Sequence, residues 1–418
     1  MVNNTQKKVL ILALLAGEIM MKSGAEIYRV EDTIVRICRA CKIDYVECFA
    51  TTTGIFLSLD TAGEENDMHT FIKRIKSAEL DLDRISAVNK FSREFTTTDL
   101  SIDAGFEQLK AIRTSKGYSL WLKVLGAIIV GAFFCPLFNG SFSDMFIAGG
   151  ISGVSFLISE FIQKLGFPDF IRIFISCAGA AGMVLLAALL GAGESVTPVI
   201  IAATVIFLPG MAITNAARDF LSGDMLSGVA RLTEALIAAI AISGGVSIGI
   251  RLWQILGGQM YQDRASFFSP PWFLLFGFFA TIGFCFLFNA PKKHIVSVSF
   301  IGAIGTFLLS FLTTHYGIVN ASFIGACTIA ILAEIFSRAG KDATTLFIIP
   351  GIIPFVPGSL LYKTMNSIME ADYEKAASIG TQALLIAGSI AVALVVVATL
   401  TRLLVMIINR AKRGKAIK

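Results

Sequence analysis

Two stretches decide how this chain is read: TVIFLPGM, Thr204 to Met211, and TLFIIPGIIPFVPG, Thr345 to Gly358. Each lies inside a long apolar segment, and the leading pairs Pro209-Gly210 and Pro350-Gly351 stand 141 residues apart. Proline removes a backbone donor and pushes the residue before it out of helical geometry, and the adjoining glycine adds backbone without a side chain. Lipid cannot satisfy the carbonyls this frees, so a break at bilayer depth must be buried in protein or line a watery cavity. A single pair is read equally well as a packing kink. Two pairs in corresponding positions of two halves point to a transporter's binding site.

Composition supports a membrane setting. Hydrophobic residues make up 55% of the 418, charged residues 16%, and the mean hydropathy is +0.75, well above a soluble domain of this length. The apolar content is uneven. Charged residues are spread through the region before Trp121, whereas long apolar runs with short polar joints follow it. The expected organisation is therefore a soluble α+β cytosolic domain over 1–117, a first five-helix membrane repeat over 118–257, and a second over 258–418 ending in a basic cytosolic tail.

In the amino-terminal part, Lys7-Lys8 followed by VLILALLAG resembles the opening of a signal peptide. The run is too short to span, and Glu18 and Lys22 continue its helical pattern, so it is read as a first helix. Ser23-Gly24-Ala25-Glu26 is expected to box the start of a second helix, with Ile27, Val30, Ile34, Ile37 and Cys41 on one face and an Asp32/Arg36 pair on the other. Tyr45–Phe49 and Gly54–Leu59 predict paired strands, Met68–Ile75 a third, and Leu80–Phe95 and Ser101–Arg113 two more helices. Seven cysteines show no disulfide framework, which suits a reduced, cytosol-facing domain. Cys38-x-x-Cys41 with Cys48 and His69 falls short of a convincing zinc set, and no orienting group for a Cys/His nucleophile accompanies them. No metal, cofactor, P-loop or catalytic site is expected, and the basic tail Lys412–Lys418 reads as a membrane anchor with no nucleic-acid role.

Ten spans are expected at about 120–138, 142–164, 169–190, 196–216, 226–250, 271–289, 294–314, 319–337, 343–361 and 376–408. With the soluble domain inside, the inner joints and tail hold Lys164, Arg218, Lys292, Lys293, Arg338, Lys341, Arg410, Lys412, Arg413, Lys415 and Lys418. The outer joints hold only Arg251, Arg264, Lys363 and Lys375. That asymmetry favours both termini in the cytosol. LWLKVLGAIIVGAFFCPLFNG from Leu120 matches PWFLLFGFFATIGFCFLFNAP from Pro271, with Trp121/Trp272 and Gly126/Gly277 at a spacing of 151 and Cys135/Cys285 and Asn139/Asn289 at 150. Gly166/Gly317, Cys177/Cys327 and Pro209-Gly210/Pro350-Gly351 continue the match. Five spans per copy is an odd number, so the second copy enters from the opposite side and the repeat is inverted, an arrangement that serves alternating access in carriers and is also found in channels.

Candidate site residues gather at the breaks. Unwound backbone around Pro209, Gly210, Pro350, Gly351 and Pro354 could bind an ammonium or carboxylate group, with Thr214, Asn215 and then Arg218-Asp219 just beyond the first break. Arg231 and Glu234 lie three residues apart in the fifth span, and Gln382 falls opposite Glu234 in the other copy after a seven-residue insertion. An ionisable residue at membrane depth is a functional hypothesis by default. Glu160/Lys164, Glu334/Arg338 and Asp169/Arg172 read instead as pairs at helix ends.

AGEIMMKSGAEIYRVEDTIVRIC (Ala16–Cys38), FLPGMAITNAARDFLSGDMLSGVARLTEAL (Phe207–Leu236) and the Pro-Gly ninth span resemble the bacterial threonine/serine exporter family in its fused form, over nearly the full length. The resemblance implies a multi-pass protein of the bacterial plasma membrane that exports small hydroxylated amino acids on the proton gradient. Related two-chain proteins are similar to dicarboxylate exporters, for which Arg231 would be the natural carboxylate partner. On this reading Glu234 and Asp219 carry protons, and Pro209, Gly210, Thr214, Asn215, Arg231, Pro350, Gly351, Pro354 and Gln382 contact substrate. The soluble domain gates the cytosolic mouth or joins subunits of a homo-oligomer. A membrane sensor or hydrolase acting through that domain is the alternative of another class.

Overall fold

The computed structural model describes residues 4–43, 45–60, 68–76, 79–256 and 268–416. Arg264, Lys418 and the expected opening of the second repeat at 258 lie outside them, as do the side chains of His69, Arg410, Lys412, Arg413 and Lys415. The chain divides into two compact units: Met1–Tyr118 with Phe288–Lys292 and Gly340–Leu346, and the remainder.

The first unit is α+β. Helices α1 (Asn4–Lys22) and α2 (Ile27–Ala40) precede strands β1 (Val46–Thr51), β2 (Gly54–Asp60) and β3 (Met68–Arg74), and α3 (Leu82–Thr97) and α4 (Ile102–Thr114) follow. The strands form one antiparallel sheet in the order β1-β2-β3. Period-two alternation sends Ala50, Ile55 and Leu57 inward and leaves Phe49, Phe56 and Ile72, paired across the three strands, exposed. The apolar stripe of α2, from Ile27 through Val30, Ile34 and Ile37, is fully buried. The expected capping box does not form. Glu26 is itself the N-cap, and its carboxylate is drawn away to Arg29 at 3.0 Å, so Ser23 does not cap.

Two short segments from far along the chain complete this unit. The first free N–H groups of α3, at Leu82 and Asp83, donate to the carbonyls of Phe288 and Asn289 at 2.9 and 3.0 Å. A helix start leaves such donors unsatisfied, and here a distant loop supplies the acceptors. Asn289 Nδ2 donates to Asp81 Oδ2 (3.3 Å), Tyr118 N donates to Asn289 Oδ1 (2.9 Å), and Ser86 donates to the buried carboxylate of Asp342 (2.5 Å).

The second unit is helical: α5 (Leu120–Phe134), α6 (Phe142–Lys164), α7 (Asp169–Leu189), α8 (Val196–Thr204), α9 (Gly210–Ser222), α10 (Met225–Ile255), α11 (Trp272–Leu287), α12 (Ile295–Gly340), α13 (Thr344–Ile352), α14 (Gly358–Met369) and α15 (Tyr373–Ala416). Among the described residues six stretches are long and apolar enough to cross a membrane. α8 with α9, bent by 57°, and α13 with α14, bent by 42°, bring the number to eight if each bent pair is counted as one span. α12 runs through both stretches expected at 294–314 and 319–337, interrupted at Gly317 (φ 76°, ψ 160°). Small residues allow close backbone approach between helices: a Cβ on Gly126 of α5 would stand 2.8 Å from the Gly283 carbonyl of α11, and one on Gly283 2.6 Å from that of Gly126.

Left-handed residues recur along this unit. Asn139 (φ 66°) and Asn289 (φ 50°) are 150 positions apart, Gly166 (79°) and Gly317 (76°) 151, Gly191 (73°) and Lys341 (54°) 150, and Gly223 (89°) and Ala371 (61°) 148. Such conformations end helices, so the helices of both stretches stop at matching places. Of the four later positions, three carry Asn, Lys or Ala, residues less at home in this conformation than glycine.

Candidate functional site

The two breaks share one backbone geometry. Leu208 and Pro209 have φ, ψ of −63°, 129° and −79°, 37°, and Val356 and Pro357 have −70°, 129° and −77°, 37°. The structural counterpart of Pro209-Gly210 is therefore Pro357-Gly358, 148 residues on, with FLPG matching FVPG. Pro350-Gly351 lies within the continuous helix α13, and Pro354 within the following 3-10 turn. The physical reason is the residue before proline. Only Leu208 and Val356 are held extended there, as a break requires. With the 148-residue register Gln382 falls opposite Glu234 without an insertion.

The breaks meet each other. A Cβ on Gly210 would clash with the Val356 side chain, and one on Gly358 would stand 2.8 Å from Leu208 Cβ. The absence of a side chain at these two positions is what lets the turns interlock. Behind them α9 packs on α10 and α15, and α14 on α15 and α10. The buried centre consists of Ile213, Ala235 and Ala239 with Leu361, Ala383 and Ala387, each of the last three 148 residues after its counterpart.

Beyond the first break the chain turns sharply. Gly223 ends α9 in the left-handed conformation, and Asp224 N donates to the Asp219 carbonyl at 2.9 Å, so α10 begins immediately. The tight connection brings Asp219, in the last turn of α9, against Arg231 in the second turn of α10, with Arg231 Nε 3.2 Å from Asp219 Oδ2. Their side chains are only 8% and 12% exposed. A carboxylate near a helix C-terminus sits at the negative end of the dipole, which the guanidinium offsets. One turn earlier, Thr214 is buried and its hydroxyl finds no hydrogen-bond partner among the described residues. A proton on Asp219, or a carboxylate competing for Arg231, would dissolve the ion pair.

The other expected residues are distributed differently. Glu234 and Gln382 are both exposed, because Ala235 and Ala383 beside them take the packed faces. Glu234 makes no ion pair or hydrogen bond among the described residues, and Arg231 meets Asp219 across the hairpin. Asn215 is half-buried, and Pro350 and Gly351 are buried, the latter against Ile301 and Ile329 of α12. Glu334/Arg338 and Asp169/Arg172 form ion pairs at 3.4 and 2.8 Å.

Two features escaped the sequence. A cavity of about 770 Å³ opens beside the second break between α8, α10, α14 and the start of α15, with Arg251, Lys363, Glu370 and Lys375 among its lining residues. Asp144 of α6, fully buried, accepts backbone hydrogens from Ser141 (2.9 Å), Glu194 (2.8 Å) and Ser195 (3.3 Å), fixing the joint into the first broken span. Ser141 followed three residues later by Asp144 is a capping box that the sequence already displays.

In the first unit, burial pushes the thiols of Cys38 and Cys48 up to about 12 and raises that of Cys41. Thiols held protonated are poor nucleophiles and poor metal ligands. Among the described residues no group of three or more His, Cys, Asp or Glu side chains is placed to hold a metal.

The threonine/serine exporter profile ThrE matches residues 11–253, and a second profile, described as threonine/serine exporter, ThrE, matches 274–400. A Mycobacterium tuberculosis protein named "Probable threonine/serine exporter" is 25% identical over 86% of this chain and 70% of its own length. The Corynebacterium glutamicum threonine/serine exporter is 21% identical over 86% and 76%. An Escherichia coli protein named "Probable succinate transporter subunit YjjP" is 23% identical over 60% of this chain and 97% of its own length. No solved structure matches. With interlocked broken helices in a largely apolar helical unit and profiles covering both halves, the chain belongs to the threonine/serine exporter family.

Proposed function

We propose that this protein is a secondary active exporter of threonine and serine, coupled to the proton gradient across a bacterial plasma membrane. The observation that carries the reading is the pair of interlocked breaks, Leu208-Pro209-Gly210 and Val356-Pro357-Gly358, with a buried carboxylate-guanidinium pair one helix beyond. Counting α11 as one span, α12 as two meeting at Gly317, and each bent pair as one gives ten. The recurring left-handed residues and the mirrored core pairs support an inverted repeat, with the membrane part divided near 118–257 and 258–418. An odd number of spans per copy and basic inner joints support both termini in the cytosol, together with the domain over 1–117.

In this reading the substrate sits by the breaks. Backbone at Pro209 and Gly210 and at Pro357 and Gly358, with Thr214, Asn215 and Gln382, frames it, Pro350, Gly351 and Pro354 belonging to the helix and turn that lead into the second break, and the unpartnered Thr214 hydroxyl offers a hydrogen bond to a hydroxylated side chain. The substrate carboxylate competes for Arg231 as a proton neutralises Asp219, so binding and protonation open the same ion pair. Glu234, exposed on α10, is the second proton-coupling candidate. Proteoliposomes with an imposed pH gradient test the assignment. Loss of threonine-driven proton movement in Asp219→Asn with retention in Glu234→Gln places coupling at Asp219; the converse places it at Glu234. Retention in both variants overturns proton coupling at these carboxylates.

The YjjP relative favours a second reading, export of a dicarboxylate. Counterflow separates the two: exchange of labelled threonine against internal threonine but not succinate supports amino-acid export, and the reverse pattern supports the alternative.

A further inference from the structure

We propose that the cavity beside the second break is a binding station for the carboxylate group of a small molecule, held by Arg251, Lys363 and Lys375. The inference rests on the transporter reading above and adds a site that shares no residue with the Asp219–Arg231 pair.

Size and charge come first. A volume of about 770 Å³ falls in the range of small-molecule sites. Three cations line it against one carboxylate, Glu370, whose Oε1 accepts from Asn366 Nδ2 at 2.7 Å. Arg251 lies near the C-terminal end of α10 and Lys363 on α14, so the charges come from different elements and converge on one space. A surplus of positive charge in a concave, partly apolar site attracts an anion, and guanidinium and ammonium groups both suit a carboxylate.

Position comes second. Tyr362, Lys363, Ser367 and Ile379 line the cavity, and the residues 148 earlier are Thr214, Asn215, Asp219 and Arg231. The cavity thus occupies the place in the second half that the ion pair fills in the first. Where Arg231 reaches Asp219, the second half has Ile379 and Ser367, which cannot pair, and the space stays open. One half carries its own anion for its cation, and the other leaves its cations to an incoming group.

Topology comes third. Of the four cations expected in outer joints, Arg251, Lys363 and Lys375 are the three among the described residues, and all three line this cavity. Positive charge on the translocated side runs against the orientation bias. A ligand role accounts for why it is concentrated at one spot.

The test uses the full chain in lipid nanodiscs, with calorimetric titration of threonine, succinate and threoninol, which lacks the carboxylate. Threonine or succinate should bind, threoninol at least ten-fold more weakly, and the double variant Arg251→Ala/Lys363→Ala should lose at least ten-fold in affinity. Arg251→Lys/Lys363→Arg, which keeps the charge, should stay within about three-fold of the parent, separating charge from folding. Glu370→Gln should bind as tightly or more tightly. Undiminished affinity in the alanine double variant, equal binding of threoninol, or no binding of either carboxylate at millimolar concentration overturns the proposal. Charge-dependent binding of succinate alone keeps the station and removes threonine export. Threonine transport with binding indifferent to these cations removes the station and keeps the exporter.

Discussion

The two broken spans are alike where they touch and unlike just beyond. At the breaks, Leu208-Pro209-Gly210 and Val356-Pro357-Gly358 have the same dihedral angles and fill each other's missing side chains. A turn or two further, the first half closes on Asp219 and Arg231, whereas the second, with Ser367 and Ile379, encloses a cavity of about 770 Å³. Backbone symmetry is therefore kept at the breaks while the side chains beyond them differ, an ion pair in one half and open space in the other.

The comparison breaks most severely at the ion pair. Arg231→Ala removes the guanidinium that faces the buried Asp219 carboxylate, and breaking a buried pair in this way costs about 3–5 kcal/mol. Thermal unfolding in detergent should shift down markedly and vesicle transport fall to background, while the charge swap Asp219→Arg/Arg231→Asp recovers much of the thermal shift. Full stability in the single variant would show the pair to be idle.

Interlocking of the breaks is tested by Gly358→Ala. The new methyl stands 2.8 Å from Leu208 Cβ, and overpacking of this kind costs about 1–3 kcal/mol. Lower stability together with slower exchange is expected; a silent substitution would mean the turns are not in close contact. A milder effect belongs to Thr214→Val. Removing a buried, unpartnered hydroxyl should stabilise by about 1 kcal/mol, while threonine counterflow weakens if the hydroxyl serves the substrate. A fall in stability would place an unseen partner on Thr214.

The smallest change concerns the first unit, which carries no such asymmetry. Burial raises the Glu18 carboxyl, but Lys22 (2.8 Å) and Lys73 (2.9 Å) more than offset this and hold it below the ordinary glutamate range. Because the folded value is lowered, its stabilising contribution is present above the ordinary glutamate range and is lost as pH falls through the folded value. Glu18→Gln should lower stability at neutral pH by a fraction of a kcal/mol to about 1 kcal/mol, given the solvent exposure of both lysines, and converge with the parent in acid. A constant difference at all pH values would remove the charge from the explanation.

Much of this was legible locally. Apolar runs, their Pro-Gly interruptions and the strands of the first unit follow from periodicity and turn residues that act over a few positions. The choice among Pro350, Pro354 and Pro357 was not, because it depends on Leu208, distant in sequence, packing beside Gly358. The short match of FLPG to FVPG held that information and was outweighed by the more conspicuous Pro350-Gly351. Likewise Arg231 had Glu234 available at helical spacing, but the face of α10 is set by Ala235 and Ala239 packing inward, and the hairpin at Gly223 presents Asp219 instead. Cavities formed by several elements leave no local trace.

The first unit borrows the acceptors for the start of α3 from Phe288 and Asn289 and a buried partner for Ser86 from Asp342. Its fold is therefore unfinished until the chain has been made as far as Asp342, well into the second half. Severed between the two membrane halves, the amino-terminal piece would display bare donors and the carboxy-terminal piece the matching carbonyls and carboxylate. Co-expressed fragments would carry a built-in means of mutual recognition, and a nascent chain would carry a checkpoint that synthesis has gone far enough.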